Sequence, residues 1–114
     1  MKSIRAEMAD IIGIQLPLAE EHVDYKVLET VEGDGYTRQL IEYISGEDKV
    51  SAYLLLPEKL GDNPAILINH QHNREHHLGK SDVCGRTGNP LQDMGPKLAK
   101  EGFVVLSPDS ICFE

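Results

Sequence analysis

Four histidines occur within a short stretch of this chain, residues 70–77, and their spacing would allow them to bind a metal ion. Carboxylates follow closely, and the full set of potential ligands is His70, His72, Glu75, His76, His77 and Asp82. A zinc hydrolase needs three or four such ligands, with one position open for an activated water. The sequence therefore allows a zinc site that uses His70, His72, His76 and either Glu75 or His77. The alternative is a solvated, hydrogen-bonded loop, because imidazoles that are neighbours in sequence need not converge in space.

Two known loop signatures come close to this stretch, and the sequence departs from both. The His-x-His-x-Asp-His signature of the metallo-β-lactamase superfamily allows one residue before the acid, whereas Asn73 and Arg74 both precede Glu75. Gly79-Lys-Ser81 resembles the end of a phosphate-binding loop, but that motif requires a glycine where Arg74 stands. The sequence therefore predicts no nucleotide site.

The apolar residues directly before the histidines predict the strand that positions them. Four apolar residues at 65–68, two of them β-branched, are typical of a strand buried on both faces. Polar groups that crowd the carboxyl end of such a strand lie where open α/β sheets place ligands and chemistry. A helical pattern at 90–101 and a second apolar run at 103–107 follow. Residues 64–107 are therefore predicted to form a parallel βαβ unit.

The residues before this unit predict a helix and an antiparallel meander. Apolar side chains recur on one helical face of residues 3–12, and Gly13 is suited to end that helix. Turn residues separate three further strand patterns, at 25–31, 36–45 and 50–56. The predicted fold class is therefore α/β, with antiparallel strands that lead into a parallel βαβ unit.

Composition excludes several classes of function. With 114 residues the chain forms one domain at most. Its net charge of −8 argues against nucleic acid and anionic membranes as partners. The apolar residues 11–18 are interrupted by Gln15 and Pro17, which is typical of neither a signal peptide nor a spanning helix. Cys84 and Cys112 form no Cys-x-x-Cys pair, which predicts reduced thiols in a cytoplasmic protein.

The order of these features resembles the N-terminal half of one enzyme family. Those features are the strand pattern 50–57, the strand end Ile68-Asn-His70, the helix end Leu98-Ala-Lys-Glu-Gly102, and Phe103-Val-Val-Leu-Ser-Pro-Asp109. Together they resemble the dienelactone hydrolase and acetyl xylan esterase branch of the α/β-hydrolase family, over about residues 36–114. The resemblance implies the first strands of an α/β-hydrolase sheet. It also implies cleavage of carboxylic esters through a serine acyl-enzyme, without a cofactor.

The resemblance also implies roles for individual residues of the loop. His70 corresponds to a histidine that shapes the turn, and Gln71 stands in the oxyanion loop where glycine is common. His72 falls where the main-chain N–H of the family serves the oxyanion hole, which stabilises the charge that develops on the carbonyl oxygen. Asp109 corresponds to an aspartate that ends the next strand and is structural.

The family's catalytic residues follow later in its chains, in the order Ser, Asp, His, with the serine in a Gly-x-Ser-x-Gly elbow. The expectation is therefore an N-terminal helix and linker at 1–24 and a partial hydrolase domain at 25–114 that stops before the elbow and is inactive alone. Its expected partners are a small-molecule ester once a C-terminal half completes it, a complementary fragment, or a second copy. A non-catalytic interaction module that exposes a sheet edge remains a further alternative.

Three serines of this chain lack the elbow's flanking glycines and are predicted to be ordinary hydroxyls and not nucleophiles: Ser81, Ser107 and Ser110.

Overall fold

The computed structural model describes residues 1–14, 22–72 and 74–114. Most of the linker predicted before residue 24 lies outside the described residues, as does Asn73. Within the described ranges the chain forms one mixed sheet and short helices. In chain order the elements are α1 (Ile4–Ile12), β1 (Tyr25–Glu32), β2 (Tyr36–Ser45), β3 (Asp48–Pro57), β4 (Ala65–Leu67), α2 (Lys80–Val83), α3 (Met94–Lys100) and β5 (Val104–Pro108).

The sheet has five strands in the order β1-β2-β3-β5-β4. Neighbouring strands are antiparallel except β4 and β5, which are parallel and are connected through α2 and α3. Gly35 and Gly46 have φ values of 80° and 64° in the turns that join β1 to β2 and β2 to β3, where a left-handed residue is needed. The predicted meander and the parallel pair are therefore confirmed, and the mixed sheet with helices agrees with an α/β class.

The core lies on one face of this sheet, beneath α2 and α3. Alternation along β3 and β5 directs Tyr53, Leu55 and Val105 to that face, where they pack against Val83, Cys84 and Ala99. The opposite face bears a shallow apolar hollow of about 300 Å³. In the part of the chain that the structure describes, no helical residue lines this hollow, whose lining residues are Val23, Tyr25, Ile41, Tyr43, Leu54 and Leu106.

The prediction that residues 65–68 form a strand buried on both faces is wrong. β4 lies at the edge of the sheet and pairs with β5 alone. Its Leu67 side chain points away from the helices and is 60% exposed, whereas Ile68, just after the strand, is buried. An apolar run alone cannot show whether a strand is central or at an edge, since the difference depends on which strands pair with it.

The helix predicted at 90–101 begins later than expected. Asn89 accepts a hydrogen bond from the N–H of Leu91 and so closes a local turn before the helix. The helix α3 starts at Met94, and Pro96 occupies its first turn, where a missing N–H costs nothing. The sequence also gave no signal for α2, because four residues are too few to show a helical period.

The predicted N-terminal helix is confirmed, and it begins one residue later than predicted, at Ile4. Ser3 caps α1 by accepting from the N–H of Ala6, and Gly13 ends it in the left-handed conformation with φ 74°. Its apolar stripe is nevertheless exposed, with Ile11 83% accessible. No helix among the described residues is long and apolar enough to cross a bilayer.

Candidate functional site

Two loops meet beyond the carboxyl ends of the parallel strands. The first, called the histidine loop here, comprises the described residues 69–72 and 74–78 after β4; the second, called the strap, comprises residues 109–114 after β5. The N–H of Ser110 donates to Nε2 of His70 at 3.0 Å, and the N–H of Glu114 donates to the carbonyl of His76 at 3.0 Å. Two hydrogen bonds therefore connect the loops, and each of them joins residues that are far apart in sequence.

The hydrogen bonds of His70 define its tautomer. A nitrogen that accepts from an N–H carries no proton, so Nε2 of His70 is the bare ring nitrogen. The proton is then on Nδ1, which donates to the carbonyl of Gln71 at 3.0 Å. His70 thus bridges its own loop to the strap, and the loop-shaping role that the resemblance implies stays a prediction.

Phe113 of the strap is packed against three imidazoles. Its ring centroid lies 4.5 Å from that of His70, 5.4 Å from that of His72 and 4.8 Å from that of His76. Edge-to-face and tilted contacts at these separations are favourable for aromatic rings. The histidines therefore gather around an apolar ring, which gives them a packing role.

The side chains of Gln71 and His72 each form a hydrogen bond within this region. The amide of Gln71 donates to Asp82 at 3.2 Å, and Nδ1 of His72 accepts from the N–H of Arg74 at 3.2 Å. Gln71 has no positive φ, so no glycine is needed there; the left-handed residue of the loop is Arg74, with φ 56°. Among the described residues, the N–H groups of Gln71 and His72 have no hydrogen-bond acceptor.

A buried lysine links the strap to α2. The Lys80 ammonium pairs with Asp109 and, at 2.6 Å, with Glu114, and the three side chains are 5%, 7% and 15% exposed. The main-chain N–H of Lys80 also donates to the Asp109 carboxylate at 2.8 Å. Burial alone would lower the pKa of Lys80, but hydrogen bonds to Asp109 and Glu114 outweigh it and raise that pKa. The ammonium is therefore held in its charged form.

The Cys84 thiol and the Ser107 hydroxyl are buried in the core and are therefore not accessible as nucleophiles. Cys84 is fully buried, and this burial raises the pKa of its thiol to about 12, so the thiolate is disfavoured. Ser107 lies beside it and is also fully buried. Cys112 is exposed and, like Cys84, is not in a disulfide.

The structure describes all six potential metal ligands named from the sequence. His72 and His76 have ring centroids 5.0 Å apart. Asp82 is occupied by Gln71 and by the hydroxyl of Thr87, which donates to it at 2.8 Å. Among the described residues, no group of three or more histidine, cysteine or acidic side chains is placed to hold a metal ion. The zinc site stays a prediction for direct measurement.

Sequence reasoning missed three residues that organise this region: Lys80, Phe113 and Glu114. Lys80 was considered only as part of a phosphate-binding loop, and the acids that bind it are 29 and 34 residues away. A single sequence carries no signal that couples positions so far apart. Asp109, in contrast, was predicted to be structural, and its contacts with Lys80 agree with that role.

No protein-family model, curated protein or solved structure matches this chain. Its function is therefore inferred from the geometry of the two loops and from the resemblance visible in the sequence.

Proposed function

We propose that residues 25–114 form the N-terminal part of an α/β-hydrolase domain, similar to dienelactone hydrolases and acetyl xylan esterases, that cleaves carboxylic esters through a serine acyl-enzyme. One observation carries the proposal. A polar loop with two unpaired main-chain N–H groups, among the described residues, follows β4 at the carboxyl end of the parallel pair. Open α/β sheets place their chemistry at that end.

In this proposal the main-chain N–H of His72 donates to the oxyanion of the tetrahedral intermediate. In α/β-hydrolases the loop that follows the corresponding strand supplies one such donor, and the residue after the nucleophile supplies the other. Gln71 belongs to the same loop and is fixed by its bond to Asp82. His70 shapes the turn through its bonds to Gln71 and Ser110. Because the donor must be in place before the charge develops, a loop tied at both ends suits this task.

The proposed reaction needs a serine nucleophile, a histidine base and an acid, which the family supplies from segments beyond the first strands. The substrate class is a small-molecule carboxylic ester, and the mechanism requires no cofactor. Because both cysteines are free thiols, we propose a cytoplasmic location.

The proposal is tested by steady-state hydrolysis of p-nitrophenyl acetate by the product of the complete reading frame that contains these residues. His72→Pro removes the N–H, whereas His72→Ala keeps it and removes only the imidazole. We expect kcat to fall about 100-fold or more in His72→Pro and to change little in His72→Ala. Thermal unfolding of both variants controls for misfolding. Equal activity of the two variants, or no turnover by the unaltered product, would contradict the proposal.

A further inference from the structure

The short helix α2 carries two buried charged side chains, and each of them binds a different loop. Lys80 and Asp82 are both buried. Asp82 accepts from the side chain of Gln71 in the histidine loop, while Lys80 binds Asp109 and Glu114 of the strap. Charged side chains are rarely buried to this degree unless they are paired. The arrangement therefore makes α2 a common anchor for both loops.

We propose that Lys80 is the positioning residue of the histidine loop, which it holds in place through the strap. Asp109 accepts from two donors of the same lysine, the main-chain N–H and the ammonium, and is thereby fixed in orientation. Glu114 is bound from two directions as well, by the Lys80 ammonium and, at 3.3 Å, by the N–H of Ser81. Both ends of the strap are thus immobilised by one end of α2.

The strap transmits this anchoring to the histidine loop through the contacts between them. Ser110 follows Asp109 directly and donates to the His70 ring, and the N–H of Glu114 donates to the His76 carbonyl. Phe113, which precedes Glu114, packs against three of the histidines. The hydrogen bonds and ion pairs of the Lys80 side chain, among the described residues, go to Asp109 and Glu114 and not to these histidines. Its effect on them is therefore indirect and passes through residues whose positions it sets.

Replacing Lys80 leaves two buried carboxylates without a counter-charge, and such groups move toward water. The strap would then leave its position, and the His70 ring would lose the donor that keeps Nε2 bare. The role of Lys80 does not depend on ester hydrolysis. In the proposed hydrolase it means that this lysine sets the position of the oxyanion donor without touching the substrate.

The test is residue-resolved NMR on the 114-residue chain, with Lys80→Met and the milder Glu114→Gln as variants. Lys97→Met is the matched control, because Lys97 also pairs with an acid, Asp93, but is 63% exposed. Two quantities are measured: amide exchange at the strap and the histidine loop, with β2 as the internal reference, and the ring ¹⁵N shifts of His70, which report its tautomer.

We expect Lys80→Met to accelerate exchange of the Ser110 and Glu114 amides by at least about tenfold relative to β2. His70 should shift from the single Nδ1–H form toward a mixture of tautomers. Glu114→Gln should accelerate the Glu114 amide in the same direction, and Lys97→Met should change neither quantity. Unchanged His70 shifts in a folded Lys80→Met chain would overturn the proposal. If Lys80→Met does not fold, unchanged exchange in Glu114→Gln would overturn it. The NMR experiment uses no ester, so a negative result for Lys80 does not contradict the proposed ester hydrolysis. Likewise, a lack of activity toward esters does not contradict the proposed role of Lys80.

Discussion

Substitution of Gly79 by alanine should destabilise the chain strongly, because this glycine lets α2 approach the strap. A Cβ at position 79 would overlap Oδ1 of Asp109 and lie 3.1 Å from Cβ of Phe113. The φ of Gly79 is −75° and so is not left-handed, and the steric overlap with Asp109 is the basis of the expected effect. The Asp109 carboxylate cannot simply yield, since Lys80 holds it with two donors.

The expected loss of stability has two contributions, overpacking at position 79 and disturbance of the buried ion pair between Lys80 and Asp109. Overpacking of a tight site costs about 1–3 kcal/mol, and disturbing a buried ion pair adds to it, so we expect a loss of about 3 kcal/mol. With a urea m-value of about 1.5 kcal/mol per molar, this lowers the unfolding midpoint by about 2 M. Gly61→Ala is the matched control, since a Cβ at Gly61 meets nothing within 4 Å. Equal midpoints for the two variants would refute the reasoning.

Four further outcomes follow from the same structure. Burial alone would raise the pKa of the Glu114 carboxyl, but its hydrogen bonds outweigh burial and lower that pKa from 4.5. The ionised Glu114 carboxylate therefore stabilises the folded chain fully above pH 4.5, and this stabilisation is lost as the pH falls through the lower folded-state pKa. Between pH 7 and pH 3, the urea midpoint of unfolding should therefore fall less in Glu114→Gln than in the unaltered chain. A thiol reagent at pH 8 should modify only Cys112 in the native chain and should reach Cys84 after unfolding, since burial raises the pKa of Cys84 to about 12. Zinc should remain weakly bound and without fixed stoichiometry after dialysis; about one tightly held zinc per chain, lost when both His70 and His72 are replaced by alanine, would favour the metal site instead. The 114-residue chain should self-associate or bind a complementary fragment, because the second sheet face is uncovered in the described residues and β4 presents an unpaired edge; a stable monomer at all concentrations in sedimentation velocity would contradict this.

The sequence predicted those parts of the fold that depend on neighbouring residues. The helix α1 was predicted from its apolar period and from Gly13 at its end, and the β1–β2 hairpin from alternation around a glycine turn. The insertion of β5 between β3 and β4 could not be predicted, because it depends on long-range pairing. The edge position and exposure of β4 follow from that pairing, which explains why its burial was predicted wrongly.

In the candidate site, too, only the features that depend on neighbouring residues could be predicted from the sequence. The location of a polar loop after β4 could be predicted, because a strand pattern followed by histidines is visible locally. The organisation of that loop could not, because it depends on Lys80 and on residues of the strap. The tautomer of His70, for example, is determined by the N–H of Ser110, 40 residues away.

The proposed function, hydrolysis of carboxylic esters through a serine, is tested most directly by the reading frame that encodes this chain and by its product. We expect the frame to continue beyond the codon for Glu114 to a Gly-x-Ser-x-Gly segment. A fluorophosphonate probe should label that serine in the full product, with loss of p-nitrophenyl acetate hydrolysis, while the 114-residue chain alone shows neither labelling nor turnover. A frame without such a segment, or saturable and inhibitor-sensitive turnover by the 114-residue chain itself, would contradict the account.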